Sequence, residues 1–131
     1  MSRLRSPRGS AAVEFATVLP LVAVALLLVA QMGLLVAQQL AVQHAAREGA
    51  RTAAITNDDD AARAAALASG NLDPARTTVV VSPATRAAGE PVRVEVRHRP
   101  GLMPFAGSFV PGGFELSASV EMRTERAPDA S

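Results

Sequence analysis

The chain has no cysteine, tryptophan, tyrosine or lysine, and phenylalanine occurs only four times in 131 residues. Without cysteine there are no disulfides, thiolate metal sites, iron–sulfur clusters or cysteine nucleophiles. That absence leaves the compartment open, because a disulfide-free chain works on either side of a membrane. All 13 cations are arginine, set against 12 acids for a formal net charge of +1. One spare charge, with no basic stripe carrying interleaved aromatics, is no footprint for nucleic acid. A Ser/His/Asp order, a phosphate loop, metal-ligand spacing and a GxGxxG motif are all missing. The only imidazoles are His44 and His98, and His98 stands between Arg97 and Arg99, which would disfavour its protonation. The expectation is a protein that is no enzyme and uses no cofactor, metal or small-molecule substrate.

What the chain does have is one long apolar block. Residues 15–37, FATVLPLVAVALLLVAQMGLLVA, contain no charge, and Thr17 and Gln31 are the strongly polar interruptions. As a helix, a segment of that length rises about 35 Å, enough to cross a hydrocarbon core of ~30 Å. The alternative, a buried helix of a soluble domain, fails on size: the rest of the chain is too small to surround it. The block therefore reads as a span in the lipid bilayer. Arg3, Arg5 and Arg8 precede it with no acid among the first 13 residues, and the first charges after it are Arg47, Glu48 and Arg51. The positive-inside rule then predicts a cytoplasmic N-terminus and an exterior C-terminal portion. A cleaved signal peptide is the competing reading, with Ala23-Val24-Ala25 as its A-x-A-like site. That site lies in mid-run, with apolar sequence on both sides.

Glu14 stands at the mouth of the block, directly before Phe15. One reading leaves its carboxylate solvated among the headgroups; the other gives it a partner, as an intramembrane charge needs. The preceding residues supply a candidate. A cut after Gly9 would make Ser10 a new N-terminus, and its α-ammonium would lie one helical turn from Glu14 on the same face. A helix N-terminus also favours a negative charge in its first turn. The result is a charge lock that exists only after processing.

The stretch Arg8-Gly9-Ser10-Ala11-Ala12-Val13-Glu14-Phe15, the apolar helix with Pro20, and the later Ala46-Arg47-Glu48-Gly49-Ala50-Arg51 together resemble the TadE-like family of tight-adherence (Flp) pilus systems. The resemblance covers residues 8 to about 55. It implies a pseudopilin or minor pilin, cut between Gly9 and Ser10 by a prepilin peptidase. Glu14 and Phe15 would serve assembly, and Arg47, Glu48, Gly49 and Arg51 form the family's second motif. The implied partners are the lipid bilayer, the prepilin peptidase and other pilus or pseudopilin subunits. The implied location is the inner, cytoplasmic membrane, with possible incorporation into a surface pilus. Two other readings stay open: an unprocessed single-pass anchor whose exterior module binds protein, and a secreted product cleaved within the span.

Past the span, alanine-rich sequence without proline continues the helix to about residue 56. A row of small residues, Gly33, Ala37, Ala41, Ala45, Gly49 and Ala53, offers a face for helix–helix assembly, although so alanine-rich a chain supplies such rows by chance. Asn57-Asp58-Asp59-Asp60 reads either as a calcium loop, for which the alternating spacing is missing, or as the cap of a helix over residues 61–69. From Thr77 the period becomes two. The segment 78–82, the alternation Val92/Val94/Val96 and the alternation Phe114 to Met122 predict three strands, with a turn at 87–90. The apolar loop 100–113, with Leu102, Met103, Phe105 and Phe109, reads as a docking surface or as a piece of the core. Ala127 to Ser131 reads as a frayed tail.

The fold class expected is α+β: a long membrane-spanning N-terminal helix extending outside, then a small antiparallel sheet module of about three strands. The predicted organisation is a basic cytoplasmic leader at 1–9 that is cleaved off, a helix over 10–56, and an exterior α+β module over 57–131.

Overall fold

A computed structural model of the protein describes residues 7–101 and 113–125. In chain order the elements are α1 (Pro7–Thr56), α2 (Asp59–Gly70), a 3-10 turn (Pro74–Arg76), and the strands β1 (Thr77–Ser82), β2 (Pro91–His98) and β3 (Leu116–Arg123). The fold is α+β, as the sequence predicts. It divides into two compact units, one ending at Leu34 and the other beginning at Leu35.

The first unit is α1 up to Leu34. Its large apolar side chains are exposed all round, among them Phe15, Leu21, Leu26, Val29 and Met32. Among the described residues α1 is the one helix long and apolar enough to cross a membrane. Pro20 lies inside it. Having no N–H, it leaves the Ala16 carbonyl without its helical donor. The Thr17 hydroxyl donates to the Val13 carbonyl at 2.9 Å, so it has a partner on its own helix and needs none from a hydrocarbon solvent.

The second unit is a three-stranded antiparallel sheet, order β1-β2-β3, packed on the later part of α1 and on α2. Val79 pairs with Val96, Val81 with Val94, and Val94 in turn with Val120. Alternation does what the sequence predicts. Val92, Val94 and Val96 are fully buried, while Arg93 and Arg97 face outward. They meet Val42, Ala45, Ala46, Ala50 and Ala53 of α1 and Ala62 and Ala66 of α2, all fully buried. The core of the sheet module therefore includes α1 residues 42–54.

This packing corrects the reading of the small-residue row. Gly33 has open space beside its α-carbon, but Ala45, Gly49 and Ala53 are spent inside the chain. A Cβ built on Gly49 would lie 3.1 Å from the Ala66 Cβ and 3.1 Å from a Val94 methyl. Small residues let α1 approach α2 and β2 this closely, and a neighbouring chain has no access to them.

The connections are set by local chemistry. Asp58 caps α2: its carboxylate accepts from the N–H groups of Asp60 (2.9 Å) and Ala61 (3.2 Å). Of the two readings of the Asn57–Asp60 stretch, the helix cap holds. Asn71 ends α2 in the left-handed conformation, φ 48°. In the 83–90 connection the Glu90 N–H donates to the Ala87 carbonyl and Gly89 takes φ +86°, so the turn falls at 87–90. Arg86, almost fully buried, donates to the Asp59 carboxylate at 2.7 Å and to the Pro83 carbonyl at 2.8 Å, pinning this connection to the start of α2. The alternation suggested that β3 begins at Phe114. The strand starts instead at Leu116, and Phe114 is exposed. Leu102, Met103, Phe105 and Phe109 lie outside the described residues, as does the 127–131 tail.

Gly49→Val tests the close approach. The added methyls meet a helix-borne Cβ and a fully buried valine that have no room to yield. Overpacking of this kind costs about 1–3 kcal/mol. Thermal melting of the full chain in detergent should show a clear loss of stability; an unchanged melt would mean that the helices do not touch there.

Candidate functional site

Apart from the 100–113 loop residues, which lie outside the described part, the candidate site residues of the sequence fall into two groups, one in each unit. In the first, Gly9 and Ser10 lie in the opening turn of α1, and Glu14 follows Ser10 by four residues on the same helix. Glu14 and Phe15 are exposed, and Glu14 forms no ion pair among the described residues.

In the second group the motif Arg47-Glu48-Gly49-Ala50-Arg51 splits by helical phase. Gly49 and Ala50 face the core, Glu48 is half-buried, and Arg47 and Arg51 are exposed. The two arginines belong to a polar stripe, Gln39, Gln43, Arg47 and Arg51, that recurs every four residues along one face of α1. This stripe borders the free edge of β3. At one end the Gln39 amide donates to the Ser117 carbonyl at 3.1 Å; at the other the Glu125 N–H donates to the Ala54 carbonyl at 2.8 Å. Between these ties lie two open recesses. Gln39, Gln43, Arg47 and Ser117 to Val120 line the first. Arg51, Ala54, Ile55, Met122, Arg123 and Glu125 line the second. Together they form a shallow groove along α1 and β3, with arginines on both banks and an apolar floor at the Ile55–Met122 end.

The arginines divide sharply. Arg63, Arg76, Arg86, Arg93, Arg97 and Arg99 each hold an aspartate or glutamate. Among the arginines whose side chains are described, Arg47, Arg51 and Arg123 stand outside every such pair, and all three line the groove. Sequence reasoning flagged Arg47 and Arg51 but missed Gln39, Gln43 and Arg123. The four-residue spacing of the glutamines and arginines was a visible signal for the helix bank. The strand bank depends on which edge of the sheet faces α1, and that is tertiary information.

His98 ends β2, buried, with Nδ1 2.9 Å from the Thr77 hydroxyl oxygen. That hydroxyl donates its proton to the Asp73 carbonyl at 2.7 Å, so toward the ring it accepts, and Nδ1–H is the donor to Thr77. Its pKa is lowered, first by burial and further by Arg76, with Asp73 opposing. The direction agrees with the sequence reading; the cause is burial rather than the flanking Arg97 and Arg99. Because the unfolded chain takes up this proton first, His98 costs no stability above about pH 6.5 and destabilises progressively as pH falls from there to the lowered folded value, below which the penalty is constant. His98→Gln should therefore flatten the loss of thermal stability between about pH 7 and 5. Parallel curves for the two proteins would show that His98 titrates normally.

Among the described residues no three His, Cys, Asp or Glu side chains gather as a metal site. Neither the curated proteins nor the solved structures yield a match to this chain. One family model does match: that of the TadE-like proteins, over residues 9–51. The match opens on Gly9 and closes on Arg51, and so takes in both groups of singled-out residues.

Proposed function

We propose, from that TadE-like segment, that this chain is a pseudopilin or minor pilin of a tight-adherence pilus assembly system. The observation that carries the reading is the reach of the match, from the glycine of the cleavage motif through the apolar helix to the second motif. The chain inserts with its N-terminus in the cytoplasm and its α+β module outside. A prepilin peptidase cuts between Gly9 and Ser10. The new α-ammonium of Ser10 neutralises Glu14 on the same helix or on a neighbouring one, so that the carboxylate can enter a bundle of low dielectric. Phe15 and the lipid-facing side chains beyond it pack against the helices of other subunits. The chain is no enzyme: Gly9 and Ser10 are substrate features for the peptidase, and the module presents surfaces.

From Phe15 to Leu34 α1 carries an apolar surface on every side, the requirement for a helix that passes from lipid into a helical bundle. Glu14 is exposed at the head of that surface, one turn from Ser10. An unprocessed anchor would carry the same module but would retain the arginine-bearing leader.

N-terminal sequencing and intact mass of the membrane-extracted protein, from cells with and without the prepilin peptidase, test the reading. A start at Ser10 that depends on the peptidase is expected, and Gly9→Leu should leave the chain uncut. A start at Met1 or Ser2 in both strains would make the chain an unprocessed anchor. Glu14→Ala should insert and be cut normally yet fail to assemble; normal assembly would remove the charge lock.

A further inference from the structure

The arginine groove of the second unit is unexplained by processing or by helix packing in the membrane. Three guanidiniums there form no ion pair among the described residues, although Glu125 also lines the recess of Arg51 and Arg123, while every other arginine with a described side chain is paired. Strand addition cannot be their use, because α1 ties down both ends of the β3 edge, at Ser117 and at Glu125. What remains open between the ties is room for side chains, flanked by fork-shaped donors that suit carboxylates.

The chain itself displays the complementary group. Asp58, in the connection between α1 and α2, and Asp59 and Asp60, which open α2, form an acidic turn beyond the C-terminal end of α1. Asp58 and Asp60 are exposed, and the Asp60 side chain is 94% accessible. One Asp58 oxygen caps α2 and one Asp60 oxygen meets Arg63, but each carboxylate keeps a second oxygen for another donor. This turn does not pair with the Arg47, Arg51 and Arg123 of its own chain, although Arg51 lies only about two helical turns before Asp58 on the same segment.

We propose that the groove receives the Asp58–Asp60 turn of a second copy of this chain. The contact is heterologous: the turn of one copy seats in the groove of the next, whose own turn stays free. Contacts of this kind repeat, closing into rings or running on as open filaments. The turn lies two to three helical turns beyond Arg51 and Arg47, so each copy is displaced along α1 of its neighbour by ~11–16 Å. The inference deepens the assembly reading, and the two fail separately. N-terminal sequencing reads processing, whereas the following experiment reads the module contact whether or not the leader is cut.

The natural absence of cysteine makes background-free cross-linking possible. Ser119→Cys places a thiol in the groove, and Ala64→Cys places one on the exposed side of α2, one turn after Asp60. Full-length chains carrying one thiol each are co-expressed in membranes and treated with a short bis-maleimide. A mixed Ser119–Ala64 dimer is expected. Arg51→Glu in the Ser119→Cys chain should lower its yield at least about tenfold, and Asp60→Arg in the Ala64→Cys chain should restore it. Because rescue requires two folded modules, it separates the contact from simple misfolding. Three results would overturn the proposal: a Ser119–Ser119 dimer alone, which marks a two-fold contact; no rescue by the charge swap; or an unchanged yield in Arg51→Glu. A loss, in the Arg47→Glu/Arg51→Glu/Arg123→Glu variant, of binding to vesicles rich in anionic lipid, without any mixed dimer in the parent pair, would give the groove to phosphate headgroups instead.

Discussion

The second unit depends on how closely α1 can approach α2 and the sheet. With one residue in every two apolar but almost no aromatics, this chain builds its core from alanine and valine. Such a core gains little per side chain, since burial energy follows apolar area at ~25 cal/mol per Å². It compensates with proximity: fully buried alanines on two helices and a glycine at the crossing let backbones come close enough for valines to fill what remains. A module this small could not exclude water from the buried valines of its sheet without the 42–54 segment of α1.

The same helix therefore answers two physical demands along its sequence. Through residue 34 its apolar side chains are exposed on all sides, which is stable only in lipid or against other helices. Beyond residue 40 its small residues become core, and its polar stripe becomes one bank of a groove. The matched TadE-like segment runs across both halves. Its second motif thus carries two kinds of residue, with Gly49 and Ala50 holding the module together and Arg47 and Arg51 presented outward. A substitution in this motif would act on stability or on surface charge according to the helical phase at which it falls.

Much of this was legible in the sequence because it rests on local or periodic signals. The span is a matter of length and hydropathy, the strands alternate with period two, and Asp58 and Asn71 bound α2 by capping chemistry that depends on neighbours one to three residues away. Strand ends were less secure: Phe114 keeps the alternation but lies beyond the last pairing of β3, where nothing on β2 remains to receive it. The small-residue row misled in its distal half, since spacing shows which residues share a helix face and says nothing of which partner takes that face. The arginine groove and the Arg86–Asp59 pin join segments far apart in sequence, and no local signal carries that information. His98 illustrates the difference well, because its neutral state follows from burial more than from the arginines beside it in sequence.

The most direct test of the account is hydrogen exchange, read by mass spectrometry on the full chain in lipid nanodiscs under increasing denaturant. If α1 residues 42–54 are core, their amides should open at the same free energy as those of β2, as one cooperative unit. Amides in the apolar block before residue 34 should stay protected by the bilayer after that unit has opened. Opening of 42–54 together with the apolar block, while β2 remains closed, would contradict the account, because the helix would then be a mere tether and the sheet module would fold without it.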